Sequence, residues 1–268
     1  MRYEAIIFDK DGVLVDTEPF YDRRRFQPLL DGVRYRSCPQ KGEKTMGDVN
    51  VGSAEMRNFK LGTPALVCRW RLASGRLPLE NRHLRALGRR VLDDEPVSPQ
   101  LIAWAKQHVE WTLREGSAEN PNGVLMLIVD EEGQAAMTVG PYEPLAAMTA
   151  SGLVDRATAA QQEADETSVA PETLWAVRDG CLVAGVAPGQ SLSGASSLVE
   201  DLAKTVGLPL SRQADLLDDV ASGAASPAEV FLASDEHGII CATDAAGSIG
   251  ERLTKDYARL LESMDKRR

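Results

Sequence analysis

Residues 172–244 decide the fold, because strand, loop, helix and hairpin patterns follow one another there without interruption. Residues 172–180 read Glu-Thr-Leu-Trp-Ala-Val-Arg-Asp-Gly, and the apolar run Leu-Val-Ala-Gly follows closely. The loop Pro-Gly-Gln-Ser-Leu-Ser-Gly-Ala-Ser-Ser at 188–197 then leads into apolar residues at helical spacing. Residues 228–234 and 238–243 form a hairpin-like pair with Glu-His-Gly at its turn. This order predicts a sheet with a helix packed against it.

Capping signals place the ends of the helix in this stretch. Ser197 and Glu200 have the spacing of a capping box, so the helix is predicted to begin near Ser197 and to end before Gly207. Apolar periodicity outside the stretch predicts further elements. These are strands at 66–72 and 124–129 and helices at 80–92, 98–113 and 157–164.

The order of elements resembles the C-terminal half of the class IV pyridoxal-phosphate enzymes. This fold-type IV group contains branched-chain and D-amino-acid aminotransferases and aminodeoxychorismate lyases. Its helix-start motif Gly-Ile-Thr-Arg corresponds to residues 194–197, and its closing Gly-x-x-Gly corresponds to residues 247–250. Residues 74–84, Ser-Gly-Arg-Leu-Pro-Leu-Glu-Asn-Arg-His-Leu, are similar to the family segment that enters His-Leu-x-Arg-Leu. The resemblance covers roughly residues 45–265.

The resemblance implies an α/β protein with the two-domain fold of D-amino-acid aminotransferase type, and a homodimer with the site near its interface. We expect residues 1–50 to be an N-terminal strand, turn and linker, and residues 51–140 to be a small α/β domain. Residues 141–166 are expected to connect it to a larger α/β domain at 167–268.

The cofactor residues of that family are mostly missing from the matching positions. A pyridoxal-phosphate enzyme needs a Schiff-base lysine, a carboxylate against the pyridinium nitrogen and a phosphate cup. The chain has no lysine between Lys106 and Lys204, and the family's glutamate and asparagine positions fall on Ser168 and Thr173. The late phosphate contact falls on Asp235, whose charge would repel phosphate. We therefore expect no cofactor and regard pyridoxal phosphate as disfavoured.

The resulting hypothesis is an atypical transferase- or lyase-like enzyme of secondary metabolism that binds a carboxylated small molecule in the vacated cavity. Arginines suit this role, because their guanidinium groups bind carboxylates in a bidentate manner. Asp235 or His237 would act as acid or base. The predicted polar lining consists of Arg69, Arg71, Ser168, Thr173, Ser196, Ser197, Asp235 and His237. In the alternative, a non-catalytic binding or scaffold protein, these are solvated loop residues.

A third hypothesis rests on the N-terminus. Residues 9–12 read Asp-Lys-Asp-Gly after a strand-like run at 3–8, which resembles the opening of the haloacid-dehalogenase phosphatases. That resemblance implies Asp9 as nucleophile and Asp11 as general acid/base around Mg²⁺. Mg²⁺ is expected under this alternative only. The acidic pairs at 93–94 and 218–219 do not follow apolar strands, so no partner for the motif is evident.

Composition excludes several classes of function. The net charge of −10 argues against nucleic acid or an anionic membrane as partner, because phosphate binding needs a basic surface. The four cysteines contain no C-x-x-C pair, which favours free thiols in a reducing cytoplasm. No apolar run reaches membrane-spanning length and no signal peptide is evident, so we expect a cytoplasmic protein.

Overall fold

The structure, a computed structural model, describes residues 5–7, 61–146 and 148–266 of the chain. Asp9 and Asp11, and with them the phosphatase hypothesis, lie outside the described residues. Within those residues the chain forms two sheets, a small two-stranded ribbon and six helices, which confirms the α/β class.

The strands fall into two groups along the chain. The first sheet has the order β1-β6-β5-β2, the second has the order β11-β10-β7-β8-β9, and β3 pairs with β4 as the ribbon. The bounds are β1 Ala5–Ile7, β2 Pro64–Arg71, β3 Val91–Leu92, β4 Glu95–Pro96, β5 Val124–Asp130, β6 Ala135–Gly140, β7 Glu172–Arg178, β8 Cys181–Ala184, β9 Leu210–Arg212, β10 Glu229–Ser234 and β11 Gly238–Cys241.

The helices cover the sheets. α1 and α2 belong with the first sheet, and the other four pack around the second. Their bounds are α1 Glu80–Leu87, α2 Pro99–Gly116, α3 Ala150–Thr167, α4 Gly194–Thr205, α5 Leu216–Ala221 and α6 Ser248–Asp265. None of the helices in the described part of the chain is both long and apolar enough to cross a membrane.

The first sheet follows the sequence pattern closely. β2 alternates between buried and half-buried residues, as its period-two pattern predicts, so Arg69 and Arg71 share the face opposite Trp70. β5 is buried along its whole length, as expected of a continuous apolar run at the centre of a sheet. Its neighbour β2 pairs with it antiparallel, from Pro64↔Asp130 to Arg71↔Val124.

The second sheet is covered on both faces. The rings of Trp175 on β7 and Phe231 on β10 stack with centroids 6.3 Å apart beneath α4 and α6. On the opposite face, Leu174 and Leu232 pack with residues of α3 and α5. Since β7 and β10 are the central strands of this sheet, their side chains lie between two layers of helix.

Two predicted helix ends were wrong. α4 begins at Gly194, and its N-cap is Ser193, whose side chain accepts a hydrogen bond from the Ser196 N–H. Residues 91–92, predicted as helix, form β3 instead, so the 93–94 acidic pair does follow a short apolar strand, contrary to the prediction, and lies in the turn between β3 and β4. Trp111 is 41% exposed, because α2 turns that side chain away from the core.

The two sheets meet at the β10–β11 turn. The Arg71 N–H, at the end of β2, donates to the Asp235 carbonyl oxygen at 3.0 Å. The Asp235 N–H donates in turn to the Pro171 carbonyl oxygen at 3.3 Å, in the segment that enters β7. Nearby, Arg82 on α1 forms an ion pair with Asp201 on α4 at 2.8 Å. The turn is therefore held by both halves of the molecule.

Candidate functional site

The turn at residues 234–238 supplies the central groups of the candidate site. The Ser234 hydroxyl accepts hydrogen bonds from the N–H groups of Glu236 at 3.3 Å and His237 at 3.0 Å, which fixes the local backbone. Gly238 has a φ of 77°, and an added Cβ would lie 2.3 Å from the Tyr257 ring. Only glycine fits there, because the backbone is left-handed and an aromatic ring lies against it.

The Asp235 carboxylate points to the start of α4. It accepts hydrogen bonds from the Ala195 N–H at 2.7 Å and the Gly194 N–H at 3.4 Å, and His83 Nδ1 lies 3.4 Å away. Burial alone would raise the pKa of Asp235, but His83 and the Ala195 N–H outweigh burial and hold that pKa below its ordinary value. A buried carboxylate at a helix N-terminus also interacts favourably with the helix dipole.

His83 is fitted closely against this helix start. Its ring stacks on Trp70 of β2 with centroids 5.3 Å apart, and only 3% of the side chain is exposed. An added Cβ at Gly194 would lie 2.4 Å from His83 Nδ1, so residue 194 must be glycine for the ring to approach. The imidazole therefore lies between the first sheet and α4 with its Nδ1 directed at the helix start.

A small cavity of about 10 Å³ lies beside these residues, which is room for about one water molecule. His83, Asp235 and Arg90 are among its lining residues. Arg90 is buried and donates to Glu163 at 2.8 Å and to the Thr167 hydroxyl at 3.0 Å. The buried charged groups at this cavity therefore pair with carboxylates, His83 with Asp235 and Arg90 with Glu163.

Glu236 points toward the first sheet and engages one of the two strand arginines. Arg69 Nη2 donates to its carboxylate at 2.7 Å, and about a tenth of each side chain is exposed. Burial raises the pKa of Glu236, although Arg69 opposes the shift. A second pair lies nearby, where Arg156 donates to both carboxylate oxygens of Glu172 at 2.9 and 2.8 Å.

Arg71 is placed differently from those two arginines. Its guanidinium donates to the backbone carbonyl oxygens of Asn122 and Gly123, and it lies 3.3 Å from the centroid of the Tyr142 ring. Among the described residues no carboxylate forms an ion pair with it, and the residue is half-buried. Arg71 therefore contributes a positive charge that neutral groups orient but do not neutralise.

His237 lies among these arginines with 7% of its side chain exposed. Burial first, and then Arg156, Arg69 and Arg71, lower the pKa of His237 to about 3. Its Nε2 lies 3.7 Å from Glu236, and its Nδ1 has no hydrogen-bond partner in the described residues. The imidazole is therefore neutral near pH 7, with one ring nitrogen available to accept a proton.

The structure brings part of the predicted lining together. The side chains of Arg69, Arg71 and His237 lie close together, and Asp235, in the same turn as His237, faces the start of α4. Ser168 lies apart, since it is exposed and caps the C-terminus of α3 at a φ of 67°.

The remaining predicted hydroxyl groups are either buried or already hydrogen-bonded within the protein. Thr173 lies within β7, and Ser196 lies in the first turn of α4; neither hydroxyl has a partner in the described residues. Ser197 accepts from Arg82 at 3.2 Å and donates to the Gly194 carbonyl at 2.8 Å.

Four groups of the site were missed by the sequence analysis, namely His83, Arg90, Tyr142 and Glu236. His83 stands in the segment similar to the family's His-Leu-x-Arg-Leu, so a signal for it existed. Glu236 is next to a predicted residue, and its role depends on which way the turn directs each side chain. In the described residues no group of three or more His, Cys, Asp or Glu side chains is arranged to hold a metal ion.

Comparison with known proteins gives structural neighbours only. No family model matches the sequence, and no curated protein matches it. A hypothetical aminotransferase from Mycobacterium tuberculosis in its PLP-bound form is 16% identical, over 85% of this chain and 95% of that chain, with a TM-score of 0.49. A fold IV transaminase from Curtobacterium pusillum is 14% identical, over 87% and 93%, with a TM-score of 0.49. The 4-amino-4-deoxychorismate lyase from Pseudomonas aeruginosa is 19% identical, over 71% and 88%, with a TM-score of 0.44.

These neighbours are of the same group as the family resemblance stated from the sequence. Identities and TM-scores at this level assign no residue role to this chain. They nevertheless contradict one prediction, that of a protein without cofactor in which pyridoxal phosphate is disfavoured. That prediction is wrong as stated, because the neighbours are transaminases and lyases and one of them is a PLP-bound form.

The fit of a phosphate group can be tested on the start of α4. The Ala195 N–H and the Gly194 N–H already donate to Asp235, and the adjoining cavity has a volume of about 10 Å³. A phosphate needs these N–H groups for itself, and it carries a charge of the same sign as the carboxylate. As arranged here, the residues at this helix start do not fit a phosphate.

Proposed function

We propose that the protein is an enzyme that binds a small carboxylate at Arg71, with His237 as the group that accepts or returns a proton. The observation that carries this proposal is the guanidinium of Arg71, which is oriented by neutral groups and forms no ion pair with a described carboxylate. A carboxylate ligand would supply the missing negative charge.

Charge balance supports Arg71 over the two neighbouring arginines. Arg69 is held by Glu236 at 2.7 Å, and Arg156 is held by both oxygens of Glu172. Each of these two arginines already has a carboxylate partner, whereas none of the described carboxylates forms an ion pair with Arg71. The Tyr142 ring holds the Arg71 guanidinium at 3.3 Å and so fixes its direction before a ligand arrives.

The charges around Arg71 also control the pKa of His237, on which its role as a base depends. A base with a pKa of about 3 is too weak for proton transfer at neutral pH, since an effective base titrates near the working pH. A bound carboxylate offsets the repulsion from the arginines and raises the pKa of His237. Carboxylate binding therefore prepares the imidazole to accept a proton. Release of the carboxylate lowers the pKa of His237 again.

The same site could serve binding without chemistry, as in the scaffold hypothesis. The buried imidazole beside Arg71 favours the enzyme, because its Nδ1 has no hydrogen-bond partner in the described part of the chain and a proton transfer would give it one. The homodimer expected from the family resemblance is part of this proposal and remains a prediction.

Nuclear magnetic resonance of the imidazole groups tests the proposal directly. The chain contains only three histidines, so the ring signals of His83, His108 and His237 can be assigned by substitution. Acetate and benzoate are titrated into the protein, with acetamide and benzamide as uncharged controls. We expect the carboxylates to shift the His237 signals and raise its pKa, and the amides to do neither.

Arg71→Met is the variant that tests the carboxylate site. Removal of the guanidinium should weaken benzoate binding by about tenfold or more, as expected for loss of a charge-assisted contact. In the unliganded variant the pKa of His237 should rise, because one source of repulsion is gone. Arg85→Met, which removes an exposed cation on α1, should change neither quantity. Unchanged His237 signals in wild-type protein, or equal benzoate binding by Arg71→Met, would reject the proposal in favour of the scaffold.

A further inference from the structure

The carboxylate of Glu236 faces two basic side chains, one with each oxygen. Its Oε1 accepts from Arg69 Nη2 at 2.7 Å, and its Oε2 lies 3.7 Å from His237 Nε2. The Glu236 and His237 side chains are only 10% and 7% exposed, so solvent screens their contact weakly. Arg69, Glu236 and His237 therefore form a chain of polar groups that runs from β2 to the imidazole.

The other ring nitrogen of His237 has different surroundings. Nδ1 is buried and has no hydrogen-bond partner in the described residues. The backbone that carries the ring is fixed, since the His237 N–H donates to the Ser234 hydroxyl at 3.0 Å. The Tyr142 ring lies against the imidazole with centroids 5.8 Å apart. Of the two ring nitrogens, only Nε2 thus faces a carboxylate oxygen.

A neutral imidazole carries one proton, and the groups that face its two nitrogens decide which of them holds it. A carboxylate oxygen can only accept, so Glu236 attracts an N–H at Nε2 and repels a lone pair there. We propose that Glu236 is a positioning residue that keeps the proton of neutral His237 on Nε2 and leaves the Nδ1 lone pair as the base. This inference rests on the proposed function and adds which nitrogen of His237 reacts.

The assignment fixes where a transferred proton goes. A proton that leaves the ligand is bound at Nδ1, and the imidazolium that forms directs its Nε2–H at the negative charge of Glu236, which stabilises it. Arg69 holds the other carboxylate oxygen, so Glu236 cannot turn away from the ring without breaking a buried ion pair.

Nitrogen NMR of the imidazole rings measures the position of the proton, because a protonated ring nitrogen and one with a lone pair give well-separated signals. His108 is the internal reference for the opposite tautomer. Its Nδ1 lies 2.8 Å from the Trp104 carbonyl oxygen, which can only accept, so its proton is on Nδ1. In wild-type protein near neutral pH, without ligand, we expect the proton of His237 on Nε2.

Glu236→Gln should move that proton to the other nitrogen. Arg69 can only donate, so it holds the amide oxygen, and the amide nitrogen then takes the place of Oε2 and directs an N–H at Nε2 of His237. The ratio of Nε2–H to Nδ1–H should fall at least about tenfold, the size expected for one net hydrogen bond. Glu172→Gln is the matched control, because it makes the same change in the neighbouring pair with Arg156, and it should leave the tautomer unchanged.

Three results would overturn the proposal. The first is wild-type protein in which the His237 proton is on Nδ1 or divided between the nitrogens, a result that does not depend on whether any variant folds. The second is a Glu236→Gln variant, folded by circular dichroism, that keeps the wild-type tautomer. The third is an equal change in Glu172→Gln, because the tautomer would then follow the charge of the whole cluster.

The tautomer is measured without ligand, so its outcome is separate from that of the proposed function. A proton on Nε2 combined with no response of His237 to benzoate would support the tautomer assignment and reject the carboxylate site at Arg71. A benzoate response with the proton on Nδ1 would do the reverse.

Discussion

Asp235 and His237 are two residues apart in one turn, yet their surroundings differ completely. Asp235 faces α4 and finds two N–H donors and a histidine, so its charge is satisfied within the protein. His237 faces three arginines and stays neutral, and the positive charge of Arg71 beside it has no carboxylate partner in the described residues. The comparison teaches that burial alone does not identify a binding site. What distinguishes the two sides is whether the charges balance. They balance where Asp235 faces α4, which we call the closed side. They do not balance where His237 and Arg71 lie, which we call the open side.

Arg69→Met would disturb this comparison most strongly, because it removes the partner of Glu236. Breaking a buried ion pair leaves an uncompensated charge, which costs about 3 kcal/mol of unfolding free energy. Urea denaturation at neutral pH measures this loss. Arg259→Met breaks a surface pair with Asp256 and should cost less than about 0.5 kcal/mol. A loss for Arg69→Met as small as for this control would show that Glu236 has turned to Arg71 and closed the open side.

His237 makes the open side sensitive to acid. Its folded pKa of about 3 lies below the ordinary value of 6.5, so the unfolded chain binds more protons between these pH values. Stability therefore falls as the pH drops from about 6.5 toward 3. At pH 5.5 this difference in proton binding lowers the unfolding free energy by about 1.4 kcal/mol. His237→Gln should lose correspondingly less stability than wild type between pH 7.5 and 5.5, as measured by urea denaturation. If the unfolding free energies of wild type and His237→Gln fell equally over this pH range, His237 would be solvated rather than buried among the arginines.

The cap of α4 gives a smaller effect on the closed side. Ser193 is fully buried and accepts from the Ser196 N–H, so Ser193→Ala should cost about 1 kcal/mol of unfolding free energy. Ser197→Ala is the comparison variant, because the sequence pattern placed the cap there. Its hydroxyl donates to the Gly194 carbonyl within the helix, so the expected cost is about half as large or less. A larger cost for Ser197→Ala than for Ser193→Ala would restore the original cap assignment.

The sequence predicted the position of a side chain best where that position depends on a single strand or a single turn. Alternation along β2 places Arg69 and Arg71 on one face, and the hairpin pattern places His237 in the turn. The pairing of each arginine could not be predicted, because Glu236 stands 167 positions from Arg69 and the backbone direction of the turn decides which side chain faces it.

The closed side was harder to predict for the same reason. Asp235 meets Ala195 across 40 positions of sequence, and His83 approaches Gly194 from the other sheet. A local pattern contains no information about such contacts. The helix start was also misplaced, because Ser197 and Glu200 have the spacing of a capping box, whereas the hydroxyl that accepts from a first-turn N–H is that of Ser193.

The backbone hydrogen bond from the Arg71 N–H to the Asp235 carbonyl connects the two sides mechanically. The backbone of the residue that bears the guanidinium is thereby attached to the residue whose carboxylate accepts from the N–H groups at the start of α4. A carboxylate ligand that shifts the backbone of Arg71 would therefore act on the same turn that carries Asp235 and His237.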